Sequence, residues 1–591
     1  MPRSLRPTLV LALVCALAAV TLAAPVAAQP EKQPTAVGTG GAIATVEVLA
    51  SRAGLRILRE GGNATDAAVA AAAVIGVTEP FSAGIGGGGF MVIFRASDGK
   101  VATIDHRETA PEAMHPRSFF ENGEPLPFND ARFSGLSAGV PGTVLGWNRA
   151  LKKFGTISLA RALRPGTNVA LEGFVVDQVF FDQVLGVVDY FDDITSTEEL
   201  FLDPDGTPPD VGSVFRNPDL ARTYERLGRL GPKGFYRGPV AEAIVDAVQD
   251  PPLTPDANHV WRPGVMRKSD LRGYRAPLRA PTHVRYRGLD VYGMGPPSSG
   301  GSTVGEALNI LEGFPMSAIP REQALHYYLE ASRYSFADRN AYLGDRDFVP
   351  VPLEGLLSEG FADERRSLIT EEAAESPVPP GNPWPYQPGR GTAPARGSAT
   401  VERDGSTTHI TTSDRWGNVV SYTYTIESVG GNGITVPGWG FLLNNELTDF
   451  NYAEPGHPNG VEGGKRPRSS MSPTIVLAGG EPVVALGSPG GSTIITTVLQ
   501  LLVNQVDFGM TLPEAIAAPR LSQRNTPTTL AEPEFLDSPL ADALEARGHV
   551  FTEVFEIGAA TGIEFLPGGV VVAAAEPTRR GGGSAMVEHP A

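Results

Sequence analysis

Apolar positions near residues 45 to 80 recur with the spacing of two successive helices. The run "TVEVLASRAGLRILREGG" has this spacing and ends at Gly61 and Gly62. The next run, "NATDAAVAAAAVIGVTEP", begins a second helix for which Asn63 or Thr65 is a suitable N-cap. We therefore expect two packed helices at the start of the folded region.

A glycine-rich segment, "SAGIGGGGFMVIF", follows these helices and leads into a strand. It contains the spacing GxGxxG at Gly84, Gly86 and Gly89. A dinucleotide site needs a strand before such glycines and a helix after them, whereas here the order is reversed. The segment therefore does not predict nucleotide binding.

The middle of the chain is helical and rich in loops. Its clearest amphipathic element is "REQALHYYLEASRYSFADRNAYLG". The Pro- and Gly-dense stretch that follows, "ESPVPPGNPWPYQPGRGTAPARGSATVERDG", predicts an exposed, mobile linker between about residues 375 and 406. A chain can be cut in such a segment without unfolding either side.

Strand patterns begin directly after this linker, in "DGSTTHITTSDRWGNVVSYTYTIES". Two alternating segments flank "DRWGN", which suits a longer hairpin turn. If Ser413 pairs with Val419, the antiparallel register places Thr407 opposite Thr425, and side chains alternate between two faces. One face is then polar (Thr407, His409, Thr411, Ser421, Thr423, Thr425 and Glu427) and the other packs (Val420, Tyr422, Tyr424 and Ile426).

Two interpretations fit so many threonines in one hairpin. Threonine is β-branched and therefore common in strands, so the pattern needs no chemistry. Alternatively, Thr407 is a nucleophile whose own α-amine, freed by cleavage after Ser406, serves as the base. An α-amine has a pKa of ~7.7–8.0 and accepts a proton near neutral pH. This second interpretation explains why a linker ends where the strand begins.

The stretch "EPVVALGSPGGSTIITTVLQLLVNQ" predicts a strand, a glycine turn and a helix. Gly490 and Gly491 would lie at the helix start, where free N–H groups and the positive end of the helix dipole suit a developing oxyanion. A plain glycine-rich turn is the alternative. No lysine follows these glycines, which excludes a P-loop, and the sequence contains neither a GxSxG elbow nor an HExxH zinc motif.

Composition narrows the class of partner. The 591 residues carry a net charge of −18, with 41% hydrophobic and 19% charged residues, as in globular proteins. An acidic surface is not attracted to nucleic acid or to an anionic membrane, so we expect neither as a partner. A small-molecule substrate is the default.

The first residues, "MPRSLRPTLVLALVCALAAVTLAAPVAAQP", combine a basic start, an apolar run and small residues. They predict a secretory signal peptide over residues 1–28, with an uncleaved anchor as the alternative, and hence export to the periplasm or the medium. Cys15 is the only cysteine and lies in this segment. Without it the chain has no disulfide, no thiol catalysis and no Cys-based zinc site.

A series of short motifs runs along nearly the whole remaining chain. They are "GGNATDAAVA", "GIGGGGF", "DHRETAP", "GVPGTVLGW", "PPSSGGST", "EALNILEGF", "FADRNAYLGDRDF", "TTHITTSD", "LLNNELTDF", "KRPRSSMSPT" and "GSPGGST". Through their number and order, the chain strongly resembles the γ-glutamyltransferase family, of the N-terminal-nucleophile hydrolase superfamily.

The resemblance implies an α+β fold, a four-layer αββα sandwich. The precursor would cut itself between Ser406 and Thr407 into residues 29–406 and 407–591, which remain together as an αβ heterodimer forming one composite domain. Thr407 would then attack the γ-amide of a donor such as glutathione. Water, an amino acid or a peptide would accept the γ-glutamyl group. No metal or organic cofactor is implied.

The resemblance also assigns the pocket. Thr425 would contact the nucleophile, in agreement with the hairpin register, and Gly490 with Gly491 would form the oxyanion hole. Arg107 would hold the substrate α-carboxylate, because a guanidinium binds both oxygens. Ser469 and Ser470 would add hydroxyl contacts, and three acids would surround the α-ammonium: Glu427, Glu446 and Asp449. On the residues alone, Arg107 could equally be a surface ion-pair partner, and Glu446 with Asp449 a solvated turn.

The sequence departs from the family pattern at several positions. Glu427 stands where many members have Asn, and Glu446 where others have Gln, which makes the ammonium site more acidic. Val429 and Thr412 replace an aromatic and an aliphatic residue. The segment between Asp449 and Ser469 is shorter than in members with a lid, so we expect an open cleft that admits bulky donors.

Two other functions remain open. A cephalosporin or glutaryl acylase would use the same Thr407 on an acyl group without the α-ammonium. An inactive secreted binding protein could retain the fold. The three acids argue against the first, and the presence of nucleophile, oxyanion glycines and Arg107 argues against the second.

Overall fold

The two helices predicted near the start of the chain are present in the structure, a computed structural model that describes residues 31–389 and 405–591. They run over Val48–Arg59 and Ala64–Thr78. Asn63 caps the second helix: its side chain accepts the Asp66 N–H at 3.0 Å, and the Asp66 carboxylate accepts the Asn63 N–H at 2.9 Å. This reciprocal pair satisfies two N–H groups that a helix start leaves free. The sequence prediction is confirmed here.

Twenty strands are numbered in chain order. They are β1 (Thr35–Thr45), β2 (Gly88–Arg95), β3 (Lys100–Asp105), β4 (Phe120–Glu121), β5 (Glu124–Pro125), β6 (Phe174–Val175), β7 (Val214–Phe215), β8 (Leu278–Arg279), β9 (Thr282–Tyr286), β10 (Leu289–Gly293), β11 (Thr408–Ser413), β12 (Val419–Thr425), β13 (Thr474–Ala478), β14 (Glu481–Gly487), β15 (Leu521–Ser522), β16 (Thr529–Ala531), β17 (Phe551–Glu553), β18 (Thr561–Leu566), β19 (Val570–Ala575) and β20 (Ser584–Pro590).

The helices are numbered in the same way. They are α1 (Val48–Arg59), α2 (Ala64–Thr78), α3 (Phe128–Arg132), α4 (Thr143–Phe154), α5 (Leu159–Glu172), α6 (Gln178–Leu185), α7 (Val188–Phe191), α8 (Thr195–Phe201), α9 (Pro218–Leu230), α10 (Lys233–Tyr236), α11 (Pro239–Gln249), α12 (Lys268–Gly273), α13 (Gly300–Glu312), α14 (Arg321–Tyr342), α15 (Leu353–Leu356), α16 (Glu359–Arg366), α17 (Thr493–Val506), α18 (Leu512–Ala517), α19 (Pro533–Leu536) and α20 (Pro539–Glu545).

Thirteen strands form one antiparallel sheet that folds back on itself. Its order is β8, β3, β2, β12, β11, β1, β19, β18, β14, β13, β10 and β9, with β20 also paired to β1. β1 pairs with β19 through Thr35–Thr39 and with β11 through residues 42–44, and its register with β20 shifts between these two parts. β1 therefore joins the two halves of the sheet.

The two halves face each other between helices. β11 and β12 contact β18 and β14, α2 covers β11 and β12 on one outer face, and α13 and α17 cover β9, β10 and β14 on the other. β2 is buried on both sides: Met91 and Ile93 belong to the core under α2, whereas Phe90 and Val92 belong to the core that contains β13 and β14. The predicted αββα sandwich is confirmed.

The hairpin has the register that the alternating pattern predicted. Ser413 pairs with Val419 and Thr408 with Tyr424, so Thr407 is directly opposite Thr425. Both strands are buried along their whole length, because α2 covers one face and the second half of the sheet covers the other. The polar face of the hairpin therefore lies inside the protein.

The amphipathic prediction for α14 is wrong. From Tyr328 to Tyr342 every residue is buried, so the helix has no solvated face over these turns. Its polar side chains are instead satisfied internally: the Tyr328 hydroxyl donates to the carbonyls of Thr496 and Leu521 at 3.1 and 2.9 Å, and Arg333 pairs with Glu330 at 2.9 Å. Charged residues at helical spacing indicate a solvated face only when nothing packs over them.

The predicted signal peptide over residues 1–28 lies outside the described residues, and so does part of the predicted linker, residues 390–404. Residues 376–389 are partly buried, and the Val378 N–H donates to the Asn525 side chain at 2.7 Å. In residues 31–389 and 405–591, none of the helices has both the length and the apolar character needed to cross a membrane.

Candidate active site

Thr407 lies just before β11, with its hydroxyl beside the peptide bond that precedes it. The chain is continuous here, so this is the uncleaved form. The Thr407 hydroxyl contacts the Ser406 carbonyl oxygen and lies 3.1 Å from the Thr425 hydroxyl, which donates to the same carbonyl at 2.7 Å. Thr407 is only 4% exposed. Two hydroxyls thus converge on one carbonyl group.

Other hydroxyls on the polar face of the hairpin surround the His409 ring. Its Nδ1 is 2.7 Å from the Thr423 hydroxyl and its Nε2 is 3.1 Å from the Thr411 hydroxyl. Burial lowers the pKa of His409 to about 3, so the ring is neutral at physiological pH. Buried polar groups need such partners, which explains the hydroxyls around His409 without a catalytic role.

Gly490 and Gly491 form the turn between β14 and α17, as predicted. Both have positive φ, +130° and +57°, which suits glycine. Neither N–H donates to another group in the described part of the chain. The turn immediately precedes the N-terminus of α17, where the helix dipole favours negative charge. These N–H groups are therefore available to an anion.

A cleft of about 350 Å³ collects most of the residues predicted for the site. Its lining includes Arg107, Thr407, Thr425, Glu427, Glu446, Asp449, Ser469, Ser470 and Gly491. Gly490 and Ser406 line an adjoining cleft of about 260 Å³ instead. The two clefts meet at the Ser406–Thr407 bond.

Arg107 is buried at one end of the larger cleft and pairs with two acids. Its guanidinium contacts the Glu446 carboxylate, lies 2.5 Å from the Asp449 carboxylate, and donates to the Pro467 and Arg468 carbonyls at 3.2 Å. Arg107 and Glu446 are each about 1% exposed, so neither is a surface group. The groups predicted to hold the carboxylate and the ammonium of a substrate thus neutralise each other here.

Ser469 and Ser470 lie beside Arg107 and are already hydrogen-bonded. The Ser469 hydroxyl accepts the Met471 N–H at 3.2 Å, and the Ser470 hydroxyl accepts from Arg339 at 2.8 Å. Arg339 also lines the cleft and was not among the predicted site residues. The "FADRNAYLG" motif contains it, on the helix that the sequence predicts to be amphipathic.

Glu427 has a left-handed backbone, with φ of +82°, which is uncommon for a residue other than glycine. Its carboxylate accepts from the Ser428 hydroxyl at 2.5 Å and from the Asn445 side chain. Burial, with the nearby Asp449 charge, raises the pKa of Glu427 to about 7, although Ser428, Arg132 and Asn445 oppose the shift. Glu427 therefore changes its charge near neutral pH.

This pKa predicts that binding of an α-ammonium group strengthens as the pH rises through about 7, because Glu427 then becomes negative. The dissociation constant of L-glutamate, measured by calorimetry between pH 5.5 and 8.5, reports this without requiring turnover. We expect glutamate binding to weaken by up to about tenfold per pH unit below 7. Glu427→Gln should remove the pH dependence. If glutamate binding depended on pH equally in the wild-type protein and in Glu427→Gln, Glu427 would not be the group that binds the ammonium.

Glu108, next to Arg107, was also missed. It is fully buried, and within the described residues neither carboxylate oxygen has a hydrogen-bond partner. Burial raises its pKa to about 8, against the opposing charge of Arg107. Glu108 is therefore protonated at neutral pH. The "DHRE" motif contained it, but the sequence gave it no role.

Arg580 borders the smaller cleft, and the sequence analysis did not predict it. Its guanidinium donates to the Thr407 carbonyl at 2.7 Å and to the Ser82 hydroxyl at 2.8 Å. Its backbone N–H donates to the Glu556 carboxylate at 2.9 Å. Arg580 thus holds the backbone carbonyl of the candidate nucleophile, whereas Thr425 contacts its hydroxyl.

The shortened segment between Asp449 and Ser469 forms one wall of the larger cleft, through residues 450–454. Asn459 ties its two ends together: its side chain donates to the Asp449 carbonyl and accepts the Arg468 N–H, both at 2.7 Å. That the cleft admits bulky donors stays a prediction.

Comparison with known proteins agrees with this geometry. A solved cephalosporin acylase from Bacillus halodurans has the same fold, with a TM-score of 0.81, 28% identity, and coverage of 96% of this chain and 99% of that one. The shared fold identifies the chain as an N-terminal-nucleophile hydrolase.

Sequence relatives identify the family. The glutathione hydrolase proenzyme of Bacillus subtilis strain 168 is 39% identical over 528 residues, covering 88% of this chain and 87% of that protein. The glutathione hydrolase proenzyme of Escherichia coli K12 is 36% identical over 555 residues, covering 91% and 90%. The family model for γ-glutamyltranspeptidase matches residues 50–586, and the chain belongs to this family.

Proposed function

We propose that this γ-glutamyltransferase and glutathione hydrolase uses Thr407 for two successive reactions, self-cleavage and γ-glutamyl transfer. The observation that carries the proposal is the convergence of the Thr407 and Thr425 hydroxyls on the Ser406 carbonyl, at the junction of the two clefts. Such a hydroxyl needs only a short movement to reach the carbonyl carbon.

In the first reaction the Thr407 oxygen bonds to the Ser406 carbonyl carbon. The Ser406–Thr407 C–N bond breaks, and the hydroxyl proton passes to the departing nitrogen. The Thr425 hydroxyl, 2.7 Å from the carbonyl oxygen, stabilises the negative charge that develops there. Water then opens the resulting ester. This leaves a carboxylate on Ser406 and a free α-amine on Thr407.

In the second reaction the free amine of Thr407 accepts the proton from its own hydroxyl, which attacks the γ-carbonyl of the donor. The N–H groups of Gly490 and Gly491 stabilise the oxyanion. The α-ammonium of Thr407 returns this proton to the donor nitrogen, the C–N bond breaks and the donor amine leaves, and a γ-glutamyl ester forms on Thr407. Water releases glutamate from this ester, and an amino acid or peptide amine gives a transfer product.

The larger cleft recognises the glutamyl group. Arg107 binds its α-carboxylate, and Glu427, Glu446 and Asp449 bind its α-ammonium. Without substrate, Arg107 pairs with Glu446 and Asp449. When the glutamyl group binds, its carboxylate pairs with Arg107 and its ammonium pairs with the acids, so each charge keeps a partner. A glutaryl group has no ammonium and would leave these acids without a cation, which favours γ-glutamyl donors over the acyl groups of the related acylases.

The smaller cleft receives the amine side of the reaction. It borders Ser406, whereas Arg107 lines the larger cleft, and its one cation, within the described chain, is Arg580. A guanidinium suits the carboxylate of a departing peptide or of an incoming amino acid acceptor.

The two fragments would remain together after cleavage, because their strands alternate in the sheet. β11 and β12 of residues 407–591 lie between β1 and β2 of residues 29–406, and β13 pairs with β10. Separating the fragments would break backbone hydrogen bonds along several strands. We also propose export to the periplasm or medium, supported by the apolar run in residues 1–28.

The intact mass of the purified protein under denaturing conditions, after incubation at neutral pH, tests the first reaction. We expect two species, the lighter one beginning at Thr407. N-terminal sequencing of that species is the control for cleavage by a contaminating protease, which would cut at other bonds of the linker. A single uncut chain after long incubation would refute the mechanism.

A further inference from the structure

A cluster of three metal-ligand side chains lies outside both clefts. His326 and Glu330 are one turn apart on α14, and His549 follows α20. All three are buried, with exposures of 0%, 0% and 3%. One ring nitrogen from each histidine and one carboxylate oxygen lie within 4.8 Å of one another.

Hydrogen bonding determines which nitrogen of His326 faces the cluster. Its Nε2 lies 2.8 Å from the Thr370 carbonyl oxygen, which can only accept, so Nε2 carries the proton. Nδ1 therefore has a lone pair, and it lies 2.9 Å from Nε2 of His549. A histidine that binds a metal typically donates its other N–H to a carbonyl in this way.

His549 and Glu330 also have atoms with lone pairs that are not used in hydrogen bonds. Nδ1 of His549 is buried and has no hydrogen-bond partner in the part of the chain that the structure describes. The Glu330 carboxylate accepts from Arg333 at 2.9 Å and from the Ala374 N–H at 3.1 Å, one contact on each oxygen. Each oxygen keeps a second lone pair, and such contacts orient a ligating carboxylate.

We propose that His326, Glu330 and His549 bind one divalent transition-metal ion, with Zn²⁺ the best match. Two imidazoles and one carboxylate are a common zinc ligand set, and a water molecule would complete the tetrahedron. Bonds of ~2.0–2.1 Å at tetrahedral angles separate two ligand nitrogens by ~3.3 Å, so the rings move apart by a few tenths of an ångström. The proton between the rings shifts to Nδ1 of His549, and no proton is lost.

The site would also link the two fragments of the cleaved protein. His326 and Glu330 belong to residues 29–406 and His549 to residues 407–591. This consequence rests on the proposed self-cleavage, whereas metal binding itself does not. The ion would then stabilise the assembled form, because a ligand that binds only the folded state raises its stability.

Metal analysis and calorimetric titration with zinc sulfate test the proposal on the full-length protein, after treatment with EDTA and dialysis. We expect one tightly bound Zn²⁺ per chain and a higher melting temperature in its presence. His549→Ala and Glu330→Gln should each weaken this binding by about 100-fold or more, since even outer contacts of a metal site are worth 10–100-fold.

Two control variants make the result specific. His283→Ala removes a half-exposed histidine that pairs with Asp290 and should leave zinc binding unchanged. Glu446→Gln removes an acid of the larger cleft and should also leave it unchanged. Absence of zinc binding by the wild-type protein, or loss of the bound ion in Glu446→Gln but not in Glu330→Gln, would overturn the proposal. If His549→Ala does not fold, the number of zinc ions bound per wild-type chain and the zinc affinity of Glu330→Gln still test the proposal.

Discussion

Thr407→Ala is expected to give a single uncut chain with no measurable transferase or hydrolase activity. The variant lacks the oxygen that attacks the Ser406 carbonyl, and without cleavage the amine that acts as base remains in a peptide bond. Loss of a catalytic nucleophile lowers kcat by roughly 10⁴-fold or more in other hydrolases, and here both reactions are lost together. Denaturing mass measurement and release of 4-nitroaniline from a γ-glutamyl anilide check the two effects separately.

The neighbouring residue provides a matched control. Thr408 is fully buried, and its hydroxyl has no hydrogen-bond partner in the described residues. Because β11 alternates, it lies on the face opposite Thr407. Thr408→Val keeps its shape and should cleave and turn over normally. If Thr407→Ala still cleaved normally, or if Thr408→Val alone failed to cleave, the assignment of the chemistry to the Thr407 hydroxyl would be wrong.

The hairpin was predictable from local patterns, because the alternation of polar and apolar residues and the length of the turn together allow few registers of strand pairing. Pairing Ser413 with Val419 fixed the position of Thr407 opposite Thr425 before any tertiary information was used, and the structure confirms it. The helix cap at Asn63 was predictable for the same reason. Both features depend on residues close together in sequence.

The glycines of "GIGGGGF" show how a local motif acquires its meaning from distant residues. A Cβ on Gly86 would lie 1.9 Å from the Leu442 carbonyl oxygen, and one on Gly87 would lie 1.9 Å from that of Thr425. A side chain on Gly87 would push away the Thr425 backbone, beside the candidate nucleophile. The sequence did not predict a nucleotide site here, but only the fold shows that Gly86 packs closely against Leu442 and Gly87 against the end of β12.

Features that depend on long-range packing were not predictable. The solvated face expected for α14 is buried by segments far away in the chain. The pairing of Arg107 with Glu446 joins residues more than 300 positions apart. The family resemblance placed both residues in one pocket, but their pairing was not predicted. Arg580 is 173 positions from Thr407, and no spacing rule connects them.

Arg107→Gln is expected to retain self-cleavage but to lower kcat/KM for γ-glutamyl donors by ~10²-fold or more. Arg107 contacts Glu446, Asp449 and two carbonyls, none of them part of the cleaved bond, so maturation does not need it. Donor binding does need Arg107, because a glutamine at this position cannot balance the charge of the donor's α-carboxylate. Removing one partner of a buried ion pair costs about 3 kcal/mol, which corresponds to ~10²-fold in affinity. Steady-state kinetics at varied donor concentration, together with the denaturing mass, measure both parts.

Arg279→Gln is the matched control, because Arg279 also pairs with two carboxylates, those of Asp105 and Asp347, but does not line the cleft. Its loss should lower the melting temperature without changing the KM for the donor. An equal loss of donor kcat/KM in both variants would mean that Arg107 acts through stability alone. If Arg107→Gln failed to cleave, the charge of Arg107 would be needed before the Ser406–Thr407 bond can react. Self-cleavage and donor binding would then depend on the same residue, contrary to the geometry.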